Sequence, residues 1–204
     1  PAVMKPTALT LNILVAAIAA VKFYRAGYFS WKIFAPFALA SVPFAFIGGA
    51  ISLPGHFYKP IVGLVLLYSS YRLVAGKGIQ KEVTPPPPLP AAVSGASIGL
   101  LSGLTGVGGG IFLSPLLLFA GWAETRQASG VAAAFILVNS IAGLLGHYSS
   151  VAQVPVQIAA WAPVAVLGGL IGAQYGSKRL PPRIILKLLA AVLLIAGIKM
   201  LLTF

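Results

Sequence analysis

The chain has no cysteine, two acidic residues and two histidines in 204 residues. Without cysteine there is no disulfide framework and no thiol chemistry. The acids, Glu82 and Glu124, and the histidines, His56 and His147, are scattered along the chain. No metal-ligand spacing and no nucleophile–base pair emerges, so neither a metal, a cofactor nor an enzymatic reaction is expected. Charged residues of all kinds make up only 8%, against roughly 25% in soluble domains. A soluble fold is excluded on that ground.

What is abundant is apolar sequence: 59% of residues are hydrophobic and the mean hydropathy is +0.98. The remaining charge is nearly all positive, 14 Lys and Arg giving a net +12. These cations sit in loops and at the ends of apolar runs, so they read as membrane-topology signals, not as a nucleic-acid surface. We read six full spans, at about 7–24, 33–53, 57–75, 128–148, 154–176 and 184–204. The lipid bilayer is thus the first expected partner, and a multi-pass cell (inner) membrane protein the expected class. Trp31 and Trp122, with Tyr24, Tyr28 and Tyr148, mostly flank spans and read as interface anchors, while Trp161 sits deeper, inside the fifth expected span.

Between the third and fourth spans lies an apolar stretch cut by Gly106-Val107-Gly108-Gly109-Gly110. Glycine costs about 1 kcal/mol in a helix interior, so the helix breaks there. The arms, Ala91–Thr105 and Ile111–Ala120, each fall short of the ~20 residues of a spanning helix. This predicts a re-entrant hairpin or a broken helix, a backbone tolerated at membrane depth only inside protein or beside a watery cavity. In transporters such breaks mark the substrate site.

Charge decides the sidedness. If both ends of the broken segment share a side, Lys22, Arg25, Lys32, Arg72, Lys77, Lys81, Arg126, Lys178, Arg179, Arg183 and Lys187 gather together. Only Lys5, Lys59 and Lys199 stand opposite. A single crossing would split the cations seven to seven and leave no signal. The unequal split predicts a hairpin with both ends, and the linker 77–90, in the cytoplasm. Two full crossings give the same sidedness. The run Thr84-Pro85-Pro86-Pro87-Pro88-Leu89-Pro90 reads as a stiff spacer, or less simply as a docking motif for a partner.

The halves repeat. Val3–Tyr24 aligns with Gln127–Tyr148, Pro43–Gly49 with Pro163–Gly169, and Lys59–Arg72 with Arg183–Lys199. A unit of one hairpin and three crossings is odd, so its two copies are inverted. The expected organisation is a first repeat at 1–76, the linker at 77–90 and a second repeat at 91–204. The first repeat has no counterpart of residues 91–125, and one such segment is expected to have been lost from the N-terminus.

The run Gly99-Leu-Leu-Ser-Gly103-Leu-Thr-Gly106-Val-Gly-Gly-Gly110-Ile-Phe-Leu-Ser-Pro115 resembles the sulfite exporter TauE/SafE family, which carries a glycine-rich G-x-G-G-G followed by proline in each of two repeats. Arg126-Gln127-Ala128-Ser129, Asn139-Ser140-Ile-Ala-Gly143, Gly168-Gly169-Leu-Ile-Gly172 and Leu180-Pro-Pro-Arg183 fit as well. The resemblance implies a secondary transporter of small sulfur-containing anions such as sulfite, sulfonates or sulfoacetate. A carrier of other small organic anions, a channel, or a non-transporting membrane component remain alternatives.

The chemistry points the same way. No expected span holds a carboxylate, where cation and proton carriers usually place one. An oxyanion can instead be held by the free N–H groups and positive dipole end of a helix start. Gly106, Gly108, Gly109, Gly110 and Ile111 form that start, with close approach open to the glycines. Ser102, Thr105 and Ser114 add hydroxyls, and Asn139 and Ser140 put polar groups mid-span. The plainer role for these polar groups is to bond neighbouring helices, at about 0.6 kcal/mol each. His147 reads as an interfacial cap or a proton-linked switch. The series Ala91, Gly95, Gly99, Gly103 and Gly168, Gly172, Gly176 read as small-residue faces for close helix packing.

Overall fold

The computed structural model describes residues 4–51, 54–75, 83–147 and 158–203. Lys77, Lys81, Glu82, Tyr148 and the start of the fifth expected span lie outside them. The described residues form helices α1 (Met4–Arg25), α2 (Trp31–Ala50), α3 (Gly55–Val74), α4 (Pro88–Thr105), α5 (Gly110–Ala120), α6 (Thr125–Gly146), α7 (Ile158–Lys178) and α8 (Pro182–Leu202). The protein is an all-α integral membrane protein. α1, α2, α4, α6 and α8 are long and apolar enough to cross a bilayer, and α3 and α7 match them in length.

The broken segment differs from the expected pair of short arms. α4 starts three residues early, at Pro88, because proline is tolerated in a first helical turn, where its N–H is not needed. Its 18 residues run about 27 Å, close to a full bilayer core. α5 has 11 residues, about 16 Å. One long arm and one short arm therefore meet at the glycines. Their outer ends come together, since the Thr84 N–H donates to the Gly121 carbonyl at 3.0 Å.

Glycine lets α4 lie directly on α2, and the two run parallel. Gly95, Gly99 and Gly103 face Phe37, Ser41 and Ala45 in step, four residues apart on each helix. A Cβ on Gly95 would sit 2.5 Å from the Phe37 carbonyl oxygen. Gly49 meets Gly143, and Gly146 meets the Phe46 carbonyl, so α6 packs on α2 just as closely. The expected small-residue packing on α4 is thus present. On α7 only one side uses it. Gly169 faces Val15 and Gly176 faces Phe23 of α1, but a Cβ on Gly168 or Gly172 would meet none of the described residues within 4 Å.

Contacts also fix direction. Phe23 lies beside Gly130, and Leu9 beside Gly143, so α1 and α6 are antiparallel. Ser70 donates to the Ala190 carbonyl at 2.7 Å and Gly63 faces Gly197, so α3 and α8 are antiparallel. α2 runs parallel to α6, with Ser41 on Asn139 and Gly49 on His147, and α7 runs parallel to α1, with Val15 beside Gly169 and Phe23 beside Gly176, so α2 and α7 oppose each other. Each pair of helices matched by the expected internal repeat therefore points in opposite directions. The two halves are interleaved: α6 packs on α1, α2, α4 and α5, around a core that includes Phe37, Leu113, Leu117, Val131 and Phe135.

Candidate substrate site

The glycine turn occupies the place where four helices converge. α4 ends at Gly106, whose φ of 75° turns the chain left-handed while its N–H returns to the Ser102 carbonyl at 2.9 Å. Gly108 and Gly109 also have positive φ, 83° and 78°. An L side chain resists this region, which is why the break needs glycine. α5 then begins at Gly110. The Gly109 carbonyl accepts from Phe112 and Leu113, while a helix start leaves its own first N–H groups, here Gly110 and Ile111, without helical acceptors.

Two hydroxyls border this turn. Ser102 on α4 and Ser140 on α6 are fully buried, and neither Oγ has a hydrogen-bond partner among the described residues. A Cβ on Gly108 would stand 2.9 Å from Ser140 Oγ, and one on Gly109 would stand 3.2 Å from Ser102 Cβ. An unmade buried hydrogen bond costs about 1–3 kcal/mol, so it is an exception in need of a cause.

The other expected residues divide. Thr105 spends its hydroxyl on the Leu101 carbonyl at 2.7 Å. Ser114 is buried one turn into α5, and Ile111 packs against the hydrophobic core. Pro115 has no N–H to give the Ile111 carbonyl, which widens the polar backbone of this short helix. Asn139 is fully buried but already engaged: its Nδ2 donates to the Phe135 carbonyl at 2.9 Å and its Oδ1 accepts from Ser41 Oγ at 2.6 Å. It joins α6 to α2 and holds the next residue, Ser140, over the turn. His147 likewise ties α6 to α2, its Nδ1 lying 2.9 Å from the Gly49 carbonyl.

Sequence reasoning missed Asn12 and Lys5 of α1. Asn12 Nδ2 donates to the Gly106 carbonyl at 3.4 Å and is also 3.4 Å from the Cβ position of Gly108. A lone amide inside the apolar run of α1 was the available signal. Lys5 lies against Gly106, its Cγ 3.5 Å from that residue's Cβ position. The turn is therefore bordered by an amide, two hydroxyls and helix-start N–H groups, all donor-capable, while the Lys5 stem lies on Gly106 and its ammonium donates to the Ile51 carbonyl at 3.4 Å. Gly108, Gly109 and Gly110 are buried. An apolar hollow of about 660 Å³ lies elsewhere, between α2 and α6, lined by Val42, Phe46, Ile141 and Leu145 on their outer faces.

The amino-acid sequence matches a family model. The model described as sulfite exporter TauE/SafE fits residues 1–200. The chain belongs to the sulfite exporter TauE/SafE family. A probable membrane transporter protein, y4hK, of Sinorhizobium fredii is 38% identical over 98% of this chain and 83% of its own length. Probable membrane transporter protein MJ0441 of Methanocaldococcus jannaschii is 24% identical over 85% of this chain and 69% of its own length. Probable membrane transporter protein MamO of Magnetospirillum gryphiswaldense is 32% identical over 58% of this chain but 20% of its own length. No solved structure matches the chain. Family and relatives make this TauE/SafE chain a multi-pass membrane transporter for a small substrate, and they point to transport, not to an enzymatic reaction.

Proposed function

We propose that the chain is a secondary transporter of small sulfur-containing anions, sulfite, sulfonates or sulfoacetate-like, and that they bind at the glycine turn. The observation that carries this reading is the pair of buried hydroxyls, Ser102 and Ser140, left without partners on either side of the turn. An oxyanion accepting from both, and from the Gly110 and Ile111 N–H groups, would satisfy them together. Asn12 would add an amide donor, and the stem of Lys5, whose ammonium rests on the Ile51 carbonyl, lies against Gly106. Glu124, the one carboxylate among the described residues, is exposed and precedes α6.

The burial of the turn favours a carrier over a channel. With Ser102 and Ser140 fully enclosed, cargo enters only when helices part, which is the alternating exposure of a carrier. The opposed directions of α1 and α6, α2 and α7, and α3 and α8 support two inverted repeats as the parts that rock. The gathering of basic residues at one end supports placing that end, with the hairpin ends and linker, in the cytoplasm of a cell (inner) membrane.

Flux into proteoliposomes with labelled sulfite, taurine, sulfoacetate and simple carboxylates tests the reading. Saturable movement of the sulfur anions, lost on Ser102→Ala with Ser140→Ala, is expected. Movement of carboxylates alone would transfer the chain to other organic anions. Conduction far above carrier rates would make it a channel.

A further inference from the structure

The basic end holds a guanidinium with no opposite charge beside it. Arg126 stands in the first turn of α6. Its Nη1 donates to the Tyr28 hydroxyl at 2.8 Å and its Nη2 to the Leu180 carbonyl at 3.0 Å. The cation also lies over the Tyr28 ring, 5.2 Å from its centroid. Nε is buried and makes no hydrogen bond among the described residues. Among the described residues no carboxylate pairs with it: Glu124 is exposed, and Glu82 lies outside the described residues. The chain around its partners adds charge of the same sign, with Lys178 and Arg179 just before Leu180, and Lys22 and Arg25 at the end of α1 before Tyr28.

A guanidinium has five donors in a planar fork that matches carboxylate, phosphate and other oxyanions. Here two donors are spent on neutral oxygens, and one buried donor is unspent. A charged acceptor makes shorter, stronger hydrogen bonds than a hydroxyl or a carbonyl. The surrounding cations draw anions to this place.

We propose that Arg126 is a docking site for the cargo anion at the basic end, whose donors Tyr28 and Leu180 occupy while no anion is present. The proposal rests on the reading of the cargo as a sulfur oxyanion. A sulfite or sulfonate offers two oxygens to the fork and a third to its rim. Position gives docking a consequence. Tyr28 belongs to the turn between α1 and α2, and Leu180 to the turn between α7 and α8. An anion that takes the Arg126 donors unties both turns from α6.

The test is flux of labelled sulfite and sulfoacetate by the full chain in proteoliposomes, with wild type, R126Q, R126K and Y28F compared. R126Q is expected to raise KM about tenfold or more, the loss of a charge-assisted hydrogen bond. R126K should recover part of that, since charge remains and the fork is lost. Y28F keeps the ring under the cation but removes a competing acceptor, so KM should fall about two- to fivefold. If Arg126 only braces the fold, R126Q and Y28F would both lower the melting temperature and leave KM unchanged, and the docking site is overturned. Should R126Q fail to insert, Y28F decides alone: a lower KM supports docking, and an unchanged or higher one ends it. A wild type that moves carboxylates but neither sulfur anion ends the cargo reading itself. Sulfite movement with unaltered KM in R126Q ends the docking site and leaves that reading standing.

Discussion

Ser140 of α6 stands over Gly108 of the glycine turn, its Oγ only 2.9 Å from where a Cβ would be. The glycine therefore has two reasons to be there. Its φ of 83° is left-handed, and the space a methyl would need is filled by Ser140 Oγ and Ile136 Cγ2. Gly108→Ala should cost about 1–2 kcal/mol for the backbone alone, with the crowding added to it. We expect a lower melting temperature in detergent and loss of sulfite flux. Gly172→Ala is the control, because a Cβ there meets nothing within 4 Å. It should leave both measurements unchanged or raise the melting temperature slightly. Equal behaviour of the two variants would remove any special role for the turn.

Ser102→Ala and Ser140→Ala separate stability from binding. Each removes a buried hydroxyl that has no partner in the fold, so stability should hold or rise. Sulfite affinity by calorimetry should nevertheless fall, by about 1.5–3 kcal/mol if the hydroxyl donates to the anion. The reverse result, a drop in melting temperature with affinity intact, would assign both serines to helix packing.

Asn139 should behave in the opposite way. Its amide is committed to Ser41 and to the Phe135 carbonyl. Asn139→Ala is expected to destabilise by about 1–2 kcal/mol, because it strands the Ser41 hydroxyl in a buried position. Adding Ser41→Ala should cost less than the sum of the single changes, which a double-mutant cycle on thermal melts will read. A strictly additive pair would mean that the Ser41–Asn139 bond contributes nothing.

Which features could be read without coordinates follows from what each one depends on. The all-helical membrane fold rests on apolar runs and a deficit of charge, both written directly in composition. The helix break rests on Gly106, Gly108 and Gly109, where composition and the required φ coincide. The start of α4 at Pro88 was hidden, because a polyproline run reads as extended until one proline enters a helix at its first turn. The bond between Asn139 and Ser41 joins residues far apart in the chain, so sequence marked a costly polar group but not its use. Asn12 was marked only as a lone amide in an apolar run, and the place of Lys5 was not marked at all, for the same reason. Only the antiparallel packing of α1 on α6 brings them to the turn. Gly168 and Gly172 show the limit of motif spacing: the four-residue repeat matches that of α4, yet nothing described packs on them.

The absence of cysteine makes the hairpin's sidedness directly measurable. Val83 and Glu124 are exposed residues just outside the two ends of the broken segment, and Phe57 is exposed near the start of α3. Each can be replaced singly by cysteine in a background with no other thiol. The bond between Thr84 and Gly121 brings the first two positions to one end of the bundle, and the antiparallel course of α3 against α8 puts Phe57 at the other, beside Lys59 and Thr203. A membrane-impermeant maleimide should therefore modify Val83→Cys and Glu124→Cys only in inside-out vesicles, and Phe57→Cys only in intact cells. Modification of Val83→Cys and Glu124→Cys from opposite faces would make the segment a single crossing. It would also divide the cations evenly between the two sides and undo the expected inversion of the two repeats.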